Sequence, residues 1–159
     1  MTDVFPGRFT ARTDAESTTI FLIGMRFNQP WRVRSWLPVA GAMPRMLQHL
    51  MTKPECGLLG YHNWFGRTTM MVSYWRSAAD VQRFASDPDA PHAAAWREFT
   101  RRIGTSGRVG VWHELYTVHR GEYEAVYANM PRFGLGSALQ HVPVGPGLRT
   151  SKQRMATVA

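Results

Sequence analysis

GLLGYHNWFGRTTMMVSYW, residues 57–75, carries the topology of the whole chain. Residues 57–65 read as one strand, Gly66-Arg67 is short enough for a hairpin turn, and residues 68–75 read as a second, β-rich strand. Two strands joined this tightly are antiparallel. Upstream, residues 18–27 (TTIFLIGMRF) are apolar on both alternating sets, Phe21/Ile23/Met25 and Ile20/Leu22, as expected of a strand covered on both faces. Between them, Asn28 and Pro30 open a helix in which Trp31, Val33, Trp36, Leu37, Ala40, Met43, Met46, Leu47 and Leu50 recur at spacings of 3 and 4 out to Met51; Pro38 and Pro44 must kink or divide it. Downstream, Ser77 caps a helix over residues 78–85 with Asp80 in its first turn. A further helix over 92–103 carries Ala95, Trp96, Phe99 and Ile103 as one stripe. A fourth strand follows over 109–118, and a fifth over 123–130.

The order is β-α-β-β-α-β with one strand added at the C-terminal end, an α+β arrangement of the ferredoxin-like kind. Residues 1–17 read as a loosely held N-terminal arm and 18–130 as the domain. Residues 131–159 form a turn-rich extension ending in a disordered basic tail over 149–159. A sheet with helices on one side normally shows polar residues on the other. This one is apolar on both, so the second face must meet something, most simply the sheet of a second copy, giving a homodimer.

The 159 residues suit one domain, and 44% hydrophobic content with 12% aromatic content is enough to build a core. Of the net charge of +8, half comes from Arg132, Arg149, Lys152 and Arg154 in an acid-free end, which argues against a nucleic-acid face. A lone Cys56 forms no internal disulfide and suits a reducing compartment. No basic-then-apolar leader opens the sequence, and no apolar run approaches the ~20 residues of a membrane span. The expectation is a cytoplasmic protein without membrane or nucleic-acid partners.

Polar groups inside apolar strands are the informative anomalies, because each costs about 1–3 kcal/mol if buried without a partner. His62 and Asn63 sit centrally in the second strand, His113 and Glu114 in the fourth, and Asn129 ends the fifth. Neighbours on a strand face opposite ways, so His113 and Glu114 cannot share a pocket. His113 is assigned to the pocket and Glu114 to the partner face, with Arg26 as counter-ion. Glu114, flanked by Trp112 and Tyr116, suits a general base or an interface ion pair equally. His62 reads as a hydrogen-bonded core residue or a pocket group. His92 heads the last helix, where the dipole disfavours its protonated form. Gly134-Leu135-Gly136 lacks the strand-turn-helix setting of a nucleotide fingerprint, and no CxxC or HxxxH pair offers a metal site.

FLIGMR, WFGRTTMMVSYWRS, HAAAWREF, VGVWHELY and YEAVYANMPRFGLG, spread over roughly residues 4–140, resemble the DUF4188 or monooxygenase-like family. The resemblance implies the dimeric α/β-barrel superfamily, which includes cofactor-independent monooxygenases and haem-dependent aldoxime dehydratases. It thereby implies a small-molecule monooxygenase acting on an aromatic or polyketide-like substrate without cofactor. The alternatives are a haem-binding lyase or oxygenase, or a non-catalytic binder. By analogy with that superfamily the pocket lies between sheet and helices. The residues assigned to it are His113 and His92 as bases, with Trp96, Tyr116, Asn129, His62 and Glu114 around the substrate.

Overall fold

In the computed structural model, which describes residues 3–88 and 91–156 without the side chains of 91, 92 and 94, two sheets share one chain. The elements, in order, are β1 (Phe5–Arg12), β2 (Ser17–Phe27), α1 (Val33–Ala40), α2 (Ala42–Thr52), β3 (Leu58–Trp64) and β4 (Met70–Trp75). These are followed by α3 (Ala78–Ser86), α4 (Pro91–Arg102), β5 (Val109–His119), β6 (Tyr127–Met130), α5 (Leu135–Ala138), β7 (Gln140–Pro143) and α6 (Ser151–Ala156). The larger sheet has the order β3-β4-β2-β5, all antiparallel, so each helical crossover skips one strand. That is the ferredoxin-like topology.

Gly41 divides α1 from α2. Pro38 lies within α1, and Pro44 falls in the first turn of α2, where a missing amide donor is tolerated. Phe27, Trp36, Val39 and Phe99 pack around Met25, Ile103 and Val109, while Phe21, Leu58 and Phe84 pack around Leu50, Trp75 and Val81. Odd-numbered residues of β2 therefore face the helices.

The terminal segments depart from expectation. The supposed arm is a strand: β1 is the centre of a second sheet of order β6-β1-β7, with Phe9 opposite both Tyr127 and Pro143. Gly7, at φ +94°, lies where the β1–β6 register shifts, so a Pro-Gly pair that suggests a coil here marks a bulge. The fifth strand begins at Tyr127 rather than residue 123 and joins this second sheet instead of the first. Residues 151–156 of the supposed tail are helical, and the Arg154 guanidinium pairs with Glu124 and donates to the Leu148 carbonyl at 2.8 Å.

The second sheet and α5 lie on the side of the larger sheet away from its helices. Ala11 and Leu135 cluster with Tyr74, and Ile20 and Val72 pack against them. The chain thus covers part of the face assigned above to a second copy, and Glu114 and Tyr116 of β5 remain exposed.

The link between β4 and α3 is fixed by a buried carboxylate. Asp80, 3% exposed, accepts from Arg76 at 2.9 and 3.0 Å, from Arg83 at 2.8 Å and from the Ser77 hydroxyl at 2.9 Å. Its own amide donates to Ser77 Oγ, which caps the helix. Gly57, at φ +88°, leaves room for it, since a Cβ there would lie 2.7 Å from the carboxylate. Hydrogen bonding by Arg76 outweighs the cost of burial and, with Ser77 and Arg83, holds the Asp80 pKa down to about 2. A depressed carboxyl pKa stabilises the fold above the unfolded value near 4, and this contribution disappears as pH falls through about 2. Asp80→Asn is expected to lower the unfolding free energy in urea by about 2–3 kcal/mol at pH 7. That deficit should shrink as both proteins are titrated toward pH 2 to 3.

Candidate active site

The β2–β5 register sets the geometry. Ile23 lies opposite His113 and Leu22 opposite Glu114, and because odd-numbered residues of β2 face the helices, so does His113. There it borders a cavity of about 360 Å³ between the sheet and α1, α2 and α4. Met43 and Met46 of α2, Trp96 and Phe99 of α4, and Met70 and Met71 of β4 supply most of an apolar wall. Trp96 and Phe99 stack with ring centres 5.5 Å apart, and His113 lies 5.7 Å from the Phe21 ring. Among the described residues His113 is the one titratable side chain in the lining. Asn63 and Thr69 add polar atoms, but the Thr69 hydroxyl is committed to the β2 backbone, accepting from Met25 N at 3.0 Å and donating to Met25 O.

Trp112 also borders the cavity, and its Nε1 is buried with no hydrogen-bond partner among the described residues. Gly24 makes room for it. A Cβ on Gly24 would lie 2.7 Å from that nitrogen and 2.0 Å from the Thr69 carbonyl oxygen. Trp112 pairs with the even-numbered Gly24, so its indole turns to the face away from the helices, and the Asn63 amide is the polar group, beside His113, that the described lining offers to a ligand's oxygen atoms.

The residues proposed from sequence divide between the two faces. His113 and Trp96 meet at the cavity. Glu114 and Tyr116 lie on the opposite face, where the Tyr116 hydroxyl donates to the Glu114 carboxylate at 2.8 Å and raises the Tyr116 pKa. Arg26 does not pair with Glu114; its guanidinium donates to Thr68 Oγ1 at 2.7 Å. Asn129 belongs to the second sheet, where its Oδ1 accepts from Gly7 N at 2.9 Å, with φ at +53°. The His92 side chain lies outside the described residues.

His62 is a docking residue rather than a pocket group. A two-residue turn at Gly66-Arg67 would pair it with Met71 on the helix side. The loop instead runs over residues 65–69, pairing His62 with Val72 and Asn63 with Met71. That one-residue difference exchanges the faces. His62 Nε2 accepts the Gly134 amide at 2.9 Å, its ring lies 4.3 Å from Phe133, and Ser137 Oγ is 3.1 Å away. Accepting an N–H requires the neutral ring, and burial lowers the His62 pKa accordingly. Gly134-Leu135-Gly136 has a structural explanation as well. Gly134 takes φ +58°, and a Cβ on Gly136 would lie 2.8 Å from the Tyr127 ring. Asn63 stood out in the sequence as a polar group in an apolar strand but was not assigned to the pocket, although its parity, opposite to that of His62, was the available signal.

Among the described residues no group of three His, Cys, Asp or Glu side chains comes together to hold a metal ion, and no helix is long and apolar enough to cross a membrane. A ferredoxin-like sheet with a largely apolar, helix-covered cavity and the His113 imidazole at its edge defines the class of domain. The chain belongs to the Monooxygenase af470-like family, whose model matches residues 18–135. It is 27% identical over 156 residues to monooxygenase af470 of Aspergillus fumigatus, an alignment covering 86% of this chain and 55% of that protein, so the chain spans about half the length of this curated relative. Among solved structures, an aldoxime dehydratase in complex with butyraldoxime superposes with a TM-score of 0.59 at 16% identity, over 94% of this chain and 42% of that one. SnoaB, a cofactor-independent oxygenase from Streptomyces nogalater, matches with a TM-score of 0.45 at 16% identity, over 66% of this chain and 95% of its own.

Because a histidine whose folded pKa is lowered stabilises the fold only while neutral, the docking of residues 133–138 on β3 holds above pH 6.5 and weakens as pH falls below it. Hydrogen exchange at the Gly134 amide, corrected for intrinsic rate, is expected to become faster between pH 7.5 and 5. His62→Gln should show no such step.

Proposed function

We propose that the protein is a small-molecule monooxygenase working without a cofactor on a flat aromatic or polyketide-like substrate held in the helix-side cavity. The observation that carries this reading is His113, the one titratable side chain among the described lining residues, on a largely apolar wall. Family membership and the relative named a monooxygenase support the same class.

In the reaction, His113 removes a proton from an acidic CH2 group flanked by aromatic or carbonyl carbons, leaving an electron-rich anion. Dioxygen takes up the electron pair at that carbon, forming a C–O bond and a peroxide. The imidazolium protonates the peroxide to a hydroperoxide; neutral His113 then takes the second C–H proton as the O–O bond breaks, leaving a ketone and a hydroxide that the imidazolium protonates to water. One dioxygen is consumed and one water released. Trp96, Phe99 and the methionines hold the ring system, while the Asn63 amide is placed to hold a ligand oxygen.

Haem fits this lining poorly. A porphyrin brings two carboxylates, and among the described residues no Arg or Lys borders the cavity. The exposed strip of β5, with Glu114 and Tyr116 (51% exposed), is the part of the second face left for a partner copy in a homodimer.

His113→Ala is expected to lower turnover of a reactive anthrone-like substrate by about 10²–10⁴-fold, the range of a lost general base, while His113→Gln keeps the fold and loses the activity. Oxygen-electrode kinetics on the purified protein check this, and full activity in both variants would remove His113 from the mechanism. Light scattering at micromolar concentration is expected to give twice 18.1 kDa. A stable monomer would leave the β5 strip without a partner copy.

A further inference from the structure

The end of the domain at the β3–β4 hairpin carries apolar side chains that the fold does not use. Trp31 is 73% exposed, Val33 47%, Leu37 57% and Phe65 86%. Val33 and Leu37 stand one turn apart on α1, a helix that buries no residue completely. Trp36 of the same helix turns inward, packing edge-on against Phe27 at 4.9 Å and donating to the Pro30 carbonyl at 2.8 Å. The apolar stripe of α1 is therefore wider than the face the domain covers.

Phe65 is brought to the same end by backbone pairing. Phe27 N donates to Arg67 O at 2.9 Å, and the Arg67 guanidinium reaches the carbonyls of Phe27 and Asn28 at 3.4 Å, just before the chain runs into Trp31 and α1. The charge at this end has one sign. Arg26, Arg32, Arg34 and Arg67 are all exposed, and between Glu16 and Asp80 the sequence holds a single acid, Glu55. Phe65 also lines the helix-side cavity, as do Phe27 and Val39 from the neighbouring elements. The apolar surface patch and the apolar interior are thus continuous.

We propose that this end docks on the surface of an anionic lipid bilayer. α1 lies in the interface plane with Trp31, Val33, Leu37 and Phe65 at the boundary between headgroups and acyl chains, and with Arg32, Arg34 and Arg67 on the lipid phosphates. Exposed tryptophan and aliphatic side chains bordered by arginines are the side-chain chemistry of an interfacial helix. Such docking needs no spanning helix, so it revises the expectation of no membrane partner. It gives a poorly water-soluble substrate a path from the bilayer past Phe65 into the cavity. The docking does not depend on the oxygenase reading, because it is measured without turnover.

The test is co-sedimentation of the full chain with vesicles of phosphatidylcholine alone and of phosphatidylcholine mixed with phosphatidylglycerol. Binding to the mixed vesicles, weakened by salt, is expected. Arg32→Gln and Arg34→Gln should each lower the apparent affinity about fivefold, and Trp31→Ser combined with Leu37→Ser should abolish sedimentation with circular dichroism and the urea midpoint unchanged. Failure to sediment with mixed vesicles at low salt would overturn the proposal. So would binding that is equal on both vesicle types and indifferent to salt, or binding retained by the Trp31/Leu37 variant. If wild type ignores vesicles while that variant halves the mass in light scattering, the patch is a protein interface and the proposal fails.

Discussion

A central strand that is apolar on both faces governs this structure. β2 offers Phe21, Ile23 and Met25 on one side and Ile20 and Leu22 on the other, and neither row can be left in water at the usual ~25 cal/mol per Å². The chain covers one side with α1 to α4. The other is met in part by its own two ends, folded into a second sheet and tied down where His62 receives the Gly134 amide. The cavity follows from how the first side is covered: the helices contribute methionines, alanines and one stacked Trp-Phe pair instead of closing completely over His113.

Much of the ferredoxin-like core was legible because its strands are bounded by glycine and its helices by a proline or a serine cap, signals that act locally. The second sheet was not. β1 contains Pro6 and Gly7, which locally favour turns, and its partners β6 and β7 lie more than 100 residues away, so its stability comes from tertiary pairing that propensity does not report. The break in the large helix was readable as a kink or division imposed by Pro38 and Pro44, but not its place at Gly41.

The candidate site was half legible for one reason, the parity of strand residues. In β5 the alternation alone separates His113 from Glu114, and pairing with Ile23 sends the histidine to the helices. In β3 the parity depends on the hairpin. Residues 65–69 make a loop longer than Gly66-Arg67 because Thr69 and Arg67 bond to the end of β2 rather than to β3, and the register moves by one residue. His62 thereby exchanges places with Asn63. Glu114, Tyr116 and Asn129, each polar in an apolar context, turned out to have local partners or solvent, the common fate of such groups.

The central claim is that ligand enters the helix-side cavity and not the opposite face of the sheet. Five of the nine methionines, Met25, Met43, Met46, Met70 and Met71, line that cavity, whereas Met51, Met130 and Met155 do not. Methyl-labelled methionine NMR during titration with a hydroxylated anthracene-type ligand therefore reads the site directly. The account predicts saturable shifts at Met43, Met46 and Met71 with Met130 unmoved, and shifts confined to Met130, or none at the cavity methyls under saturating ligand, would contradict it.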